Sequence, residues 1–156
     1  MKKLFNHLAK LAMIILLLPS LTGCGNVTSE INPQTILQTL LTQVQYETEL
    51  SEVGSNASLY FPDLPENATI QFHTGSGYYA DRVALLTFSN PSDCKDAITV
   101  VKNHVEELKN QFSNYVPEEV QKIDHAVIYQ NGQFLFLCIT NDYANVNSLL
   151  NNYTTR

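Results

Sequence analysis

The sequence predicts an α+β fold, with about four mostly antiparallel strands arranged as two hairpins and three helices packed on the sheet. Two patterns predict it. Apolar segments typical of strands come in two pairs, and each pair is joined by a turn that contains glycine. Three segments with apolar residues at helical spacing each follow an asparagine that can cap a helix. A single domain over residues 33–156 is long enough to bury a core without disulfide bonds.

The N-terminal region has the three parts of a secretory signal. Lys2 and Lys3 supply the positive end, residues 11–18 form an apolar run, and Leu21-Thr22-Gly23-Cys24 follows. The run is shorter than the about 20 residues that a transmembrane helix needs, so we expect cleavage. The tetrad resembles the bacterial lipobox, which implies cleavage before Cys24 and attachment of diacylglyceryl and N-acyl lipid at that residue. An uncleaved anchor or an unrelated cysteine is the alternative.

These features predict a location and a partner. We expect residues 1–23 to be a lipoprotein signal peptide, and residues 24–32 to be the lipidated N-terminus and a short tether. The domain would be exported and held by its lipid at the outer face of the cytoplasmic membrane. Three of the nine basic residues leave with the signal peptide and none of the fifteen acidic ones does, so the mature chain has a net charge near −9. Nucleic-acid binding needs clustered Lys and Arg, so it is not expected.

The first helix and the segment after it are predicted from spacing and proline. Asn32-Pro33 provides an N-cap and a first helical residue, and an apolar stripe runs from Ile36 to Val44. In the segment of residues 47–66, residues 60–65 are predicted to be extended on the core, because the prolines at 62 and 65 exclude a long helix. The glutamates at its start lack the ligand spacing of a calcium loop, so a solvated surface and no metal or other cofactor are expected.

The first hairpin and the long helix follow. Residues 69–73 alternate in polarity as a half-buried strand does, Gly75-Ser76-Gly77 interrupts them, and residues 82–88 form the second strand. Asn90-Pro91 then starts the helix, and Asp93 places a negative charge in its first turn. The buried face is expected to comprise Ile98, Val101, Val105, Leu108 and Phe112.

The second hairpin is predicted from Asn131-Gly132 between two apolar runs, a pair that favours a type I′ turn. This turn would place Tyr129 opposite Phe134 and Val127 opposite Phe136, with these four side chains on one face. Both faces are apolar, which favours an inner strand pair covered by helices or by the proline-rich segment. The final helix is predicted to be capped by Asn141-Asp142, and its buried stripe to comprise Tyr143, Val146, Leu149, Leu150 and Tyr153.

Two cysteines remain after Cys24. Cys94 is predicted in the first turn of the long helix and Cys138 in a strand, so buried free thiols are favoured over a disulfide. The predicted register places Cys138 opposite His125, which is the one concrete basis for a small envelope hydrolase or thiol enzyme. The sequence has none of the common catalytic motifs, so we expect no enzyme and name no catalytic residue.

A binding or interaction module of the cell envelope is the favoured function. Tyr78 and Tyr79 lie beside glycines in the first hairpin loop, and rigid aromatic rings in such loops provide contact area at low entropic cost. One tyrosine could instead fold back onto the core. A passive structural component of the envelope, which would bind no ligand, is a further alternative.

Several local motifs lie at residues 59–60, 83–84, 112–115, 117–120, 126–127 and 131–137. They resemble those of an uncharacterised family of lipoproteins from Gram-positive bacteria, domain of unknown function 4358. The similarity covers roughly residues 33–140, and its motifs are structural turns and strands. Tyr78 and Tyr79 replace the small residues usual in that loop. The resemblance implies location and fold, and it implies no site residue.

Overall fold

The structure, a computed structural model, describes residues 32–153. The predicted signal peptide, the lipobox residues Leu21, Thr22 and Gly23, and the lipidated Cys24 lie outside these residues. No helix within residues 32–153 has the length and apolar character needed to cross a bilayer.

One antiparallel sheet of five strands, in the order β1-β2-β3-β5-β4, forms the centre of the domain. The strands are β1 Ser51–Glu52, β2 Thr69–Thr74, β3 Arg82–Thr87, β4 Val127–Asn131 and β5 Phe134–Ile139. The helices are α1 Pro33–Gln43, α2 Pro91–Tyr115, α3 Val120–Asp124 and α4 Tyr143–Asn151, with 3₁₀ helices at Gly54–Tyr60 and Pro117–Glu119.

The α+β class is therefore confirmed, but the prediction of four strands and three helices is wrong. The additional strand β1 has two residues and pairs with the edge of β2, where the Val53 amide donates to the Phe72 carbonyl at 2.8 Å. Two residues are too few to show alternation in a sequence. The 3₁₀ helix Gly54–Tyr60 precedes the stretch predicted to be extended, and α3 directly follows the 3₁₀ helix Pro117–Glu119.

Both faces of the sheet are covered, so the core has two layers. Helix α2 packs on one face through Cys94, Ala97, Val101 and Leu108, which are buried. Helices α1 and α4 pack on the other face, as the stripes from Ile36 and from Val146 predicted. The central strand β3 is buried along nearly its whole length because it has a strand on each side and helices above and below.

The side chains of the second hairpin lie on the predicted faces of the sheet, but the register of the two strands differs from the prediction. Tyr129 lies opposite Phe136, and Val127 lies opposite Cys138. The turn residues are Gly132 and Gln133, and only Gly132 has a positive φ, of 58°. The predicted type I′ turn needs two positive φ values and is therefore wrong. One positive φ, at a glycine in the first central position, is what a type II′ turn needs. The register differs by two residues, so each side chain keeps its face. The prediction that the second hairpin is an inner strand pair is wrong, because β4 is an edge strand and the inner strands are β2, β3 and β5.

The predicted caps are confirmed for two of the three helices. The Gln34 amide donates to Asn32 Oδ1 at 2.9 Å, and the Asp93 amide donates to Asn90 Oδ1 at 2.9 Å. At α4 the predicted side-chain cap is wrong. Asp142 precedes the helix, but its Oδ2 instead accepts from the Gln45 amide at 3.1 Å and so ties α4 to the end of α1.

Candidate functional site

The loop between β2 and β3, residues 75–81, projects the two tyrosines that the sequence singled out. Tyr78 is 78% exposed and Tyr79 is 39% exposed, so neither folds back into the core. The loop is internally ordered, because the Gly75 amide donates to the Asp81 carbonyl at 2.8 Å and the Tyr79 amide donates to the Ser76 carbonyl at 2.9 Å.

Two grooves flank this loop. The first has a volume of about 490 Å³ and lies between the loop, the 3₁₀ helix Gly54–Tyr60 and α2. The second, of about 370 Å³, contacts Tyr78 and the end of α2, and the two grooves share Gly77, Gln111 and Phe112. Volumes of this size are typical of small-molecule sites. We call the pair the aromatic groove, because the large apolar side chains exposed in residues 32–153 all line it: Leu59, Tyr60, Tyr78, Tyr79 and Tyr115.

Arg82 lines the first groove although only 6% of its surface is exposed. It begins β3, and its Nε donates to the Ala80 carbonyl at 3.0 Å. One terminal nitrogen lies 3.3 Å from His104 Nε2. Burial lowers the pKa of Arg82 to about 10, which still leaves the guanidinium charged at neutral pH.

His104 on α2 is held as a neutral imidazole. A guanidinium can only donate, so His104 Nε2 must accept the hydrogen bond and the proton must lie on Nδ1. Burial first, and then the charge of Arg82, lower the pKa of His104 to about 4. The ring packs 4.7 Å from the Phe61 ring, centroid to centroid. The groove therefore contains one positive charge at its base rather than two.

A buried ionic cluster holds the far end of the same loop. Lys122 Nζ lies 2.8 Å from a carboxylate oxygen of each of Asp81, Glu119 and Glu47. The side chains of Lys122 and Asp81 are 1% and 0% exposed. Burial opposes the charged ammonium, but the three hydrogen bonds outweigh it and raise the pKa of Lys122. The hydrogen bond from Lys122 lowers the pKa of Glu47.

The cluster joins the loop to the segment Pro117–Asp124. Glu119 Oε2 accepts from the Ala80 amide at 2.7 Å as well as from Lys122. Lys122 Nζ also lies 5.8 Å from the centre of the Tyr79 ring, within reach of a cation–π contact. Ala80 and Asp81 are therefore fixed from below while the tyrosines remain exposed.

The same three carboxylates have the composition of a metal site, since their oxygens lie within 4.8 Å of one another. Lys122 already supplies the positive charge at their centre, and a metal ion would have to displace it. Asp81 Oδ1 accepts no hydrogen bond although it is buried. Glu47, predicted as part of a solvated surface, is exposed but contributes one of the three contacts.

The predicted pairing of Cys138 with His125 is wrong. Cys138 lies opposite Val127 and is buried beside Tyr46, whose hydroxyl is 3.5 Å from Sγ. Burial raises the pKa of the Cys138 thiol to about 12. His125 is exposed and stacks on Tyr143 at 4.1 Å. The thiol-enzyme alternative thus loses the contact on which it depended. Cys94 and Cys138 are buried free thiols in opposite core layers, as favoured from sequence.

Sequence reasoning identified the tyrosines but missed the charged residues below them. The sequence predicts Arg82 only as the first residue of a strand and predicts no role for His104. Lys122 received no role, although Glu119 three residues earlier in a helical segment was a signal that the two could pair. No local signal linked Lys122 to Asp81 or Glu47, which are 41 and 75 residues away.

Comparison with known proteins identifies a family without an assigned activity. Residues 63–140, half of the chain, match the family described as a domain of unknown function (DUF4358). The matched segment includes β2 to β5, the loop with its tyrosines, Arg82 and Lys122. No curated protein and no solved structure matches the chain.

Proposed function

This chain belongs to the DUF4358 family, whose description assigns no activity, and we propose that it is an extracytoplasmic lipoprotein whose domain binds a ligand in the aromatic groove. The observation that carries the proposal is the clustering of the exposed apolar side chains. Scattered exposed apolar residues are normal on a protein surface, but a contiguous patch in a concave site is typical of binding.

The loop supports this role because it is held in place before any ligand arrives. Gly75, Tyr79 and Ala80 each have their amide hydrogen bonded within the domain. A preorganised loop loses little conformational entropy on binding, which favours affinity. The exposed rings add contact area with few rotatable bonds.

The test is a thermal-shift screen of sugars, peptides, metal ions and small carboxylates. A ligand that binds only the native state stabilises it, by about 2.7 kcal/mol at a concentration 100 times its Kd. We expect a ligand that raises the Tm of the wild type and of a Tyr143→Ala control, since Tyr143 lines neither groove. The Tyr78→Ala/Tyr79→Ala variant should lose the shift. A shift that survives this double substitution would contradict the proposed site, and no shift with any compound would favour a passive component.

The membrane anchor is the second part of the proposal. Its support is the order of positive residues, apolar run and Leu21-Thr22-Gly23-Cys24 in the sequence. Two or more acyl chains at Cys24 would give stable membrane attachment, which one chain does not. Cys24→Ala should accumulate as unprocessed precursor without lipid, as measured by mass spectrometry of the membrane fraction. Normal maturation of that variant with its lipid would contradict the anchor.

A further inference from the structure

Arg82 differs from the other buried cation of residues 32–153 in having no ionic partner there. Lys122 contacts three carboxylates, whereas the guanidinium of Arg82 makes its two hydrogen bonds to neutral acceptors, the Ala80 carbonyl and His104 Nε2. The neighbouring Asp81 carboxylate forms no salt bridge with Arg82 and contributes only a longer-range attraction, while its Oδ2 is bonded to Lys122.

This arrangement leaves donors available at the base of the groove. A guanidinium has five N–H donors, and two hydrogen bonds use two of them. A buried charge is unfavourable unless it is paired, so the site gains most from a ligand that brings a negative charge. Carboxylates match the planar fork of a guanidinium with two parallel hydrogen bonds.

We infer that the aromatic groove takes a ligand that carries a carboxylate beside an aromatic or apolar group, and that Arg82 binds the carboxylate. This inference rests on the proposed function. Glu107 lines the same groove, and its negative charge disfavours a multiply charged anion such as phosphate, so a singly charged carboxylate fits better. Tyr79 and Tyr60 line the groove with Arg82 and supply the apolar contact.

His104 is a positioning residue in this arrangement. Its Nε2 accepts from Arg82 and its ring is fixed between Phe61 and Tyr60, with ring centroids 4.7 and 6.3 Å away. The guanidinium plane is thereby oriented before the ligand binds. His104→Gln keeps an acceptor for Arg82, so we expect it to retain the preference for carboxylate, whereas His104→Leu should reduce that preference.

The test uses two probes that differ only in charge, N-acetylphenylalanine and N-acetylphenylalaninamide. Binding to the full-length protein in nanodiscs is measured by ligand-observed NMR at neutral pH, with empty nanodiscs as the blank. We expect the carboxylate to bind about tenfold more tightly than the amide, or better, because the amide leaves the guanidinium unpaired. The preference should fall to about one in Arg82→Gln, and Tyr79→Ala should weaken both probes alike.

The outcomes separate this inference from the proposed function. Equal binding of the two probes, lost in Tyr79→Ala, would overturn the role of Arg82 and leave the groove as a binding site. Binding of neither probe at millimolar concentration would overturn the inferred ligand class, while the broader screen still tests the groove. If Arg82→Gln fails to fold, Arg82→Lys retains the charge without the fork and should still reduce the preference. An undiminished preference in a folded Arg82→Lys would contradict the paired hydrogen bonds.

Discussion

Replacing Lys122 with methionine tests the energetic role of the ionic cluster. Methionine keeps most of the volume and flexibility of the lysine stem, so the change removes the charge without opening a large cavity. It leaves Asp81, which is 0% exposed, and Glu119, which is 8% exposed, without their counter-charge.

The magnitude follows from the burial of each partner. Removing one member of a buried ion pair destabilises by about 3–5 kcal/mol, because an uncompensated charge remains. The contact with Glu47 adds little, since that side chain is 42% exposed and exposed pairs contribute about 0–1 kcal/mol. We therefore expect Lys122→Met to lower the free energy of unfolding by about 4 kcal/mol. For a domain of this size the decrease in Tm would be about 16 °C.

The assay is urea unfolding followed by tyrosine fluorescence and far-UV circular dichroism, because the chain has no tryptophan. Asp81→Asn is combined with Lys122→Met to complete a double-mutant cycle. The neutral amide relieves the unpaired charge, so the double variant should be less destabilised than the sum of the single variants by about 1–3 kcal/mol.

The pH dependence gives an independent check. In Lys122→Met the buried carboxylates have no cation beside them, so their native pKa values should exceed their unfolded ones. The native state then binds protons that the unfolded state does not, and the deficit relative to wild type should shrink as pH falls from neutral towards 5. A deficit under 1 kcal/mol, additive in the cycle and constant with pH, would refute the account of the cluster as a buried, mutually dependent set of charges.

The other predictions concern a histidine, a glycine and the thiols. His104 has a native pKa of about 4 against an ordinary 6.5, so the unfolded state binds more protons in between. This histidine alone should lower the stability by about 3 kcal/mol as pH drops from 6.5 to 4. Urea unfolding at several pH values should show a slope that is smaller by this amount in His104→Gln, and an unchanged slope would contradict the prediction. Gly75→Ala would place the new Cβ 2.5 Å from Thr48 Cγ2, so it should lower the free energy of unfolding by about 1–3 kcal/mol. The control is Gly77→Ala, whose Cβ would have no atom within 4 Å. It should change the free energy of unfolding by no more than about 0.5 kcal/mol in the same assay. Burial raises the pKa of Cys94 and of Cys138. In the folded protein both thiols should therefore react with a maleimide far more slowly than the free amino acid cysteine does. Fast labelling of either thiol would contradict its burial.

Local signals predicted much of the fold. The starts of α1 and α2 were predictable because an asparagine cap and the following proline act within one turn of the chain. The faces of the second hairpin were also predictable, since polarity alternates with a period of two. Its register was not predictable. Asn131 pairs with Phe134 inside the ladder and donates to the Tyr153 carbonyl at 3.1 Å, and this contact with the residues after α4 is not visible in the local sequence of the hairpin.

The candidate site was predictable only at its surface. Two tyrosines beside glycines are visible in a sequence, whereas the charges beneath them meet through tertiary packing. Arg82 contacts His104 across 22 residues, and Lys122 contacts Asp81 across 41. Nothing in the local composition of either segment specifies its partner. A sequence pattern could indicate that Arg82 and Lys122 were charged, but not that their side chains were buried or which groups each would contact.

The ionic cluster and the aromatic groove are joined through residues 80–82, and this connection can be tested directly. The Ala80 amide bonds to Glu119, the Ala80 carbonyl to Arg82, and the Asp81 side chain to Lys122. If the cluster orders the loop, Lys122→Met should accelerate amide hydrogen exchange at Gly75, Tyr79 and Ala80 more than at Leu137 in the core. Equal acceleration at all four amides would mean that Lys122 stabilises the whole fold and has no separate effect on the loop. A selective effect would mean that charges buried on one side of the loop determine how rigidly the tyrosines are presented on the other.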